Sequence, residues 1–431
     1  MKNVLEWLEA TITKSPEKIA FSDTENSITF AQVYDIARNT GAYLIEKLGV
    51  DRTPVAVFAG RKMVTPAYFL GVVYAGRPYA PIDASLPDKR IEKILENLCP
   101  RAIVADRESL EHVESIVDEL VKSEGFDRPQ IFIAEDISRF EQVACADSNC
   151  KISESAGDAV TDSENDTDGG VVAGCVGKTD DSSLEKLAAV RRQMSMTDPL
   201  YIIYTSGSTG NPKGVMTSHL SLMTYINAYC DVMHIEGDDV LGNQSPLDYI
   251  AAIRDIYLPL KTGCSTAIIP KEYFMEPNAL FDYMNEKKVS SVGWSVSAFT
   301  ILTSLGAFEE TELKSLRKIC FSGSVMPCRV LRKWQENLPK AHFVNQYGPT
   351  EATASCTYYS VDHTVEEDEV LPIGKAYDNY RVFLIDENGN EPAVGEQGEI
   401  CVCGPILALG YYNDKERTDA AFTLNPLNKA Y

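Results

Sequence analysis

Residues 202–215 read Ile-Ile-Tyr-Thr-Ser-Gly-Ser-Thr-Gly-Asn-Pro-Lys-Gly-Val. An apolar run passes into a loop of glycines and hydroxyls and ends on a single lysine. Gly207, Gly210 and Gly214 permit tight or positive-φ turns, and Thr205, Ser206, Ser208 and Thr209 add hydroxyl groups to the exposed backbone N–H donors. Such a surface suits a polyphosphate, and Lys213 adds a flexible point charge that can follow a phosphate. A Walker A loop carries a hydroxyl residue directly after its lysine, whereas Gly214 follows Lys213 here. A metal ligand must therefore come from elsewhere in the chain.

Working outward from this loop, short apolar strands alternate with amphipathic helices. Val55–Phe58, Ala102–Ala105 and Gln130–Ala134 read as strands, with helices expected over 34–48, from about Thr65, and over 91–98 and 107–122. Farther on, a helix is expected to begin near Ser218, helix and strand over 256–260 and 267–269, and a strand at Lys318 ahead of helix 329–337. That alternation predicts an α/β fold with mostly parallel sheets flanked by helices. Beyond Val370 the pattern changes to Gly-punctuated strands at 380–385 and 398–402, which predicts a smaller antiparallel β-rich subdomain over 370–431. The stretch 146–182 interrupts the alternation. It holds nine acidic and two basic residues in a Ser-, Asp- and Gly-rich context, and it reads as a mobile acidic insertion.

At 431 residues the chain can build a large core, and its 44% apolar content is that of a globular protein. A formal charge of −23 argues against general nucleic-acid or anionic-membrane binding, although local donors still allow an ATP site. The N-terminus lacks a signal-peptide core and no run of apolar residues is long enough to span a bilayer, so a soluble cytoplasmic protein is expected. Eleven scattered cysteines form no readable disulfide framework.

Taken together, Tyr204–Val215, Asn345-Gln-Tyr-Gly-Pro-Thr-Glu351, Ile373-Gly-Lys375, Gly395-Glu-Gln-Gly-Glu-Ile400 and Gly410-Tyr-Tyr412 resemble the adenylate-forming, AMP-binding enzymes. Tyr74-Ala-Gly-Arg-Pro-Tyr-Ala-Pro-Ile-Asp83 leans toward the branch of nonribosomal peptide synthetase adenylation domains and D-alanine–carrier-protein ligases. The resemblance covers nearly the whole chain outside the acidic stretch. It implies activation of a small carboxylic acid by ATP and Mg2+ to an acyl-adenylate, with transfer to the thiol of a carrier-protein phosphopantetheine or of CoA. Charge developing on the phosphoryl oxygens needs donors and a divalent cation. The loop 205–213 supplies the donors. Glu351 is the expected metal carboxylate, Tyr347 beside Gly348 the adenine platform, Thr350 a phosphate contact, and Asn345 the start of the turn lining both sites.

The acyl pocket departs from the family pattern. Asp255-Ile256-Tyr257 fixes a register that puts Ile250 where amino-acid-activating relatives carry an aspartate for the substrate ammonium. Isoleucine cannot pair with a cation. Asp248, two residues earlier, could recover the pairing on an extended segment, which leaves two readings: an amino acid held through Asp248, or an acid lacking the α-ammonium. The same register brings Arg254 toward the pocket wall, to pair with a substrate substituent or, in the plainer reading, to form an ordinary surface ion pair. Trp294, Ser295, Gly323, Gln346, Ala354 and Ser355 are the remaining expected lining residues. In relatives a ribose-binding segment and a small mobile domain with a catalytic lysine follow the region where this sequence ends, so the residues given are expected to adenylate weakly by themselves. A degenerate module that binds nucleotide or a partner without chemistry is the non-enzymatic alternative.

Overall fold

The computed structural model of the chain describes residues 1–122, 125–138, 181–206 and 210–427. Two large sheets dominate it. The first has nine strands, from edge to edge Lys375–Ala376, Thr357–Val361, His342–Tyr347, Lys318–Ser322, Ser291–Ser295, Val240–Asn243, Ser265–Ile268, Ile19–Ser22 and Ser27–Thr29. The six central strands run parallel and the outer ones antiparallel. The second has seven strands in the order Gly410–Tyr411, Pro212–Ser218, Pro199–Ser206, Tyr79–Pro81, Val55–Phe58, Ala102–Ala105 and Gln130–Ile133. Its last five are parallel.

Strand alternation sorts side chains into layers. Val55 and Val57 enter the core between the sheets, while Ala56 and Phe58 face an outer layer with helices Asp88–Leu98 and Leu110–Leu120. In the nine-stranded sheet, Cys320 and Val344 face the inner core. Phe321 and Phe343 face an outer one with helices Pro277–Glu286, Val296–Ser304 and Cys328–Asn337. Helices Leu5–Lys14, Phe30–Leu48, Thr65–Tyr74, His219–Met233 and Ile253–Thr262 fill the space between the sheets. Helix Thr65–Tyr74 is buried on every face, as an inter-sheet position demands.

The α/β expectation holds, with local differences. Phe30 already belongs to the helix expected from 34, which begins there because Thr29 and Gln32 form a capping box. Strand Ser291–Ser295 passes directly into helix Val296–Ser304 at Ser295, whose side chain caps the Ala298 N–H. The strands beyond Val370 are shared out: Lys375–Ala376 joins the nine-stranded sheet and Gly410–Tyr411 the seven-stranded one. Arg381–Ile385 and Glu399–Cys403 form a separate antiparallel pair. The acidic stretch 146–182 lies outside the described residues apart from its last two, which begin helix Asp181–Gln193.

Candidate active site

Lys213 sits on a strand. Pro199–Ser206 and Pro212–Ser218 are an antiparallel pair in which Thr205 lies opposite Lys213, so the two side chains share a face. A strand following the loop, where a P-loop would have a helix, places the lysine at the mouth of a hairpin. Gly210 has φ +78°. Gly214 is required for another reason, since a Cβ there would lie 2.8 Å from Ile202 and 2.9 Å from the Tyr204 ring. Gly207, Ser208 and Thr209 lie outside the described residues. Ser206 Oγ accepts from Arg90 at 2.9 Å, which ties the loop to helix Asp88–Leu98.

The other side of the site grows from strand His342–Tyr347. The chain leaves it through Gly348-Pro349, makes a short 3-10 turn at Thr350–Ala352, and returns as Thr357–Val361. A Cβ on Gly348 would stand 2.5 Å from Ser355 Cα and 2.7 Å from Cys356 N, so only glycine lets this loop fold back on itself. Ala408 N–H donates to Glu351 O at 2.8 Å, and Thr353 Oγ1 donates to Ile406 O at 2.6 Å. Ala352 packs with Cys356, Tyr377, Tyr380 and Ile406 in a small apolar cluster beneath the turn. Glu351 is therefore held from both sides.

These two loops meet. Lys213 Nζ donates to Glu351 Oε1 at 2.5 Å and to the Tyr411 hydroxyl at 3.2 Å. Tyr411 donates to the same Glu351 oxygen at 2.6 Å, and Lys213 lies 4.9 Å from the centroid of its ring. Burial raises the Glu351 carboxyl, but the hydrogen bonds from Lys213 and Tyr411 outweigh it and hold the group below its ordinary value. Lys213 is lowered by burial and, more strongly, raised by Glu351 and Tyr411. The result at neutral pH is an ion pair beside a neutral tyrosine. Tyr411 was legible only as part of Gly410-Tyr-Tyr412. Its position follows from strand pairing, which sets it opposite Val215, two residues along the same face from Lys213.

Tyr347 ends its strand 38% exposed, at the carboxyl edge of the parallel sheet where ligands of open α/β sheets gather. Gly323, just beyond strand Lys318–Ser322, has nothing within 4 Å of where a Cβ would stand. Asn345 Nδ2 donates to Pro372 O at 2.9 Å, which makes it a brace for the adjoining loop. Thr350 opens the turn that carries Glu351.

The residues expected to line the acyl pocket separate into groups. Gln346 and Ser355 are buried and linked, with Ser355 Oγ 3.3 Å from Gln346 Oε1 and Gln346 Nε2 donating to Tyr377 Oη at 2.7 Å. Ala354, at φ +74°, packs against the inner core. Arg254 is 1% exposed and donates to Gly293 O at 2.5 Å, so it is an interior residue and not a surface ion-pair partner. Ile250 lies in the inner core. Asp248 lines a cavity of about 110 Å³ with Gly60, Arg61, Phe69 and Asp83, and burial together with Asp83 pushes its carboxyl up to about 6. Trp294 points the other way. Its ring packs among Phe274, Phe299 and Trp334 in the outer core, and its Nε1 donates to Gly242 O at 2.8 Å. Strand alternation is the reason: Gly293, beside Trp294, takes the inner face and meets Arg254.

The site fits a magnesium nucleotide on its own features. Thr205 Oγ1 is buried without a hydrogen-bond partner among the described residues. No group of three or more His, Cys, Asp or Glu able to hold a metal occurs among the described residues. Magnesium nucleotides need only one or two protein carboxylates when phosphates complete the shell, and Glu351 is the residue that would supply one. No helix among the described residues is long and apolar enough to cross a membrane.

Comparison with known proteins bears on the family and the fold. The chain is 28% identical over 423 residues to a D-alanine–D-alanyl carrier protein ligase of Bacillus velezensis, covering 97% of this chain and 73% of the relative. Among solved structures it superposes on VinN with a TM-score of 0.74 at 19% identity, covering 98% of this chain and 94% of that one. It superposes on the Klebsiella oxytoca NpsA N-terminal subdomain, solved with 3-hydroxybenzoyl-AMSN, with a TM-score of 0.71 at 17% identity, covering 97% and 91%. The profile of the AMP-binding enzymes matches residues 8–412, and the chain belongs to that family.

Proposed function

We propose that the chain activates a small carboxylic acid as its acyl-adenylate, using ATP and Mg2+, for delivery to a carrier-protein thiol. The observation that carries this reading is the Lys213–Glu351–Tyr411 cluster beside the glycine-and-hydroxyl loop. Bound ATP supplies the adenylyl group that gives a carboxylate a good leaving group. The protein's own residues orient and neutralise. Thr205, Ser206 and the Gly210 N–H offer donors to phosphate oxygens, and Lys213 adds a mobile positive charge. Glu351, ionised at neutral pH, would hold the cation, and the Tyr347 face would carry the adenine ring. The D-alanyl carrier protein ligases among its relatives favour a carrier protein over CoA as the acceptor.

Acid-dependent exchange of labelled pyrophosphate into ATP tests the reading, measured across amino, hydroxy, keto and dicarboxylic acids. Exchange stimulated by at least one acid class and abolished by EDTA is expected. Magnesium-dependent ATP binding by the full-length protein with no exchange for any acid would leave a nucleotide-binding module and refute the enzymatic reading.

A further inference from the structure

Arg254 carries a charge into the interior, and among the described residues it forms no direct ion pair. Its Nη2 bonds to the Gly293 carbonyl and its guanidinium lies 5.6 Å from the centroid of the Tyr229 ring, while its Nε has no hydrogen-bond partner among the described residues. The adjacent buried Asp255 acts on it through space, but no hydrogen bond joins the two, the Asp255 Oδ2 accepting from Asn243 at 2.8 Å. Leaving the donors of a buried guanidinium unpaired is costly, and a fold keeps such a group where something else completes it. The nearest hydroxyl is unsatisfied in the same way. The Tyr225 hydroxyl stands near both Arg254 and Ser355, yet it has no hydrogen-bond partner of good geometry among the described residues.

The position of this group is set by register. Gly293 pairs with Cys320 and Cys320 with Val344, so all three share the inner face, and Gln346 follows two residues along toward Tyr347 and the carboxyl edge. A Cβ on residue 293 would lie 2.8 Å from the guanidinium carbon, so the glycine is what lets Arg254 lie against the strand. Orphaned donors therefore line the inner face below the proposed nucleotide site. Ile250 adds no anion for a substrate ammonium.

We infer that Arg254, with Tyr225, reads a second carboxylate on the acid, so that the substrate class is a dicarboxylic acid. This rests on the adenylation reading above and narrows it. One carboxylate meets the adenylyl group and the distal one takes the fork of Arg254 in charge-assisted hydrogen bonds.

Calorimetric binding of non-hydrolysable acyl-sulfamoyl-adenosines to the full chain tests it, with succinyl and glutaryl analogues set against butyryl and with AMP as reference. One of the diacid analogues is expected to bind at least about tenfold more tightly than the butyryl analogue. Arg254→Gln is expected to bring the two classes to parity, and Arg254→Lys, which keeps the charge without the fork, to retain part of the preference. Equal binding of butyryl and diacid analogues by the unaltered protein overturns the inference with no variant needed, as does a preference that survives Arg254→Gln. If AMP and the butyryl analogue bind while the preference is missing, only the substrate class falls; if nothing carrying an adenosine binds, the adenylation reading falls and takes this inference with it.

Discussion

Lys213 and Glu351, 138 positions apart in the chain, meet at 2.5 Å with the Tyr411 hydroxyl bridging them. The contact joins a hairpin of the seven-stranded sheet to a turn leaving the nine-stranded sheet. Both side chains remain partly accessible, at 25% and 20%, so the pair is open to exchange of partners with a bound phosphate and cation. Still reached by solvent on both side chains, it contributes modestly to folding, and its value lies in holding two charges ready at one place.

Lys213→Ala is expected to lower acid-dependent pyrophosphate exchange by about 100-fold or more, the scale for removing one preorganised charge from developing phosphoryl oxygens. The urea midpoint should change little, because a partly exposed pair is worth roughly 1 kcal/mol or less. Parallel exchange assays and urea titrations check both halves.

Tyr411→Phe removes one of the two side-chain hydrogen bonds that hold the Glu351 carboxyl down. With Lys213 still in place, the carboxyl should rise part of the way back to its ordinary value. A depressed carboxyl is lost as a charge when pH falls through its folded value, so the acid limb of the exchange profile should move to higher pH in the variant. An unmoved limb would exclude Glu351 as the group it reports.

Gly348→Ala should destabilise the chain by about 2–3 kcal/mol, since the new Cβ meets backbone atoms of Ser355 and Cys356 and not a side chain that can turn aside. Tyr347 and Glu351 flank the distorted loop, so nucleotide affinity should fall with stability. Denaturant unfolding and AMP titration measure the two effects.

His219 gives a pH signature remote from the proposed chemistry. It is buried, its Nδ1 accepts from Val4 N–H at 3.5 Å, and burial pushes its imidazole down to about 4. Between its ordinary value and about pH 4 the unfolded chain takes up a proton that the folded chain refuses, so stability falls as pH falls through that window. Relative to His219→Asn, which keeps an acceptor but does not titrate, the unaltered protein should lose on the order of 3 kcal/mol across it. Urea midpoints of both proteins at pH 7 and pH 4.5 check this.

The fold was readable from sequence wherever alternation was strong. Val55–Phe58 and Ala102–Ala105 were plain as buried strands because both of their faces are covered. The proposed nucleotide-binding residues were readable because loops that approach phosphates need glycines and hydroxyls in a fixed order. What sequence did not show depends on register between distant strands. Tyr411 joins Lys213 only through the pairing of Gly410–Tyr411 with Pro212–Ser218, and Gly293 takes the inner face, with Trp294 sent outward, by a parity that spacing from a motif does not reveal. The burial of Arg254 was hidden for a similar reason: its partner is a backbone carbonyl on another strand.

The central claim is that Glu351 recruits the cation for a nucleotide held at Lys213. Calorimetric titration of ATP with and without magnesium, on the unaltered chain and on Glu351→Gln, tests it most directly. Magnesium should tighten ATP binding by about tenfold or more in the unaltered chain and have little effect in Glu351→Gln. A Glu351→Gln protein whose ATP affinity still rises with magnesium as steeply as before would contradict the account.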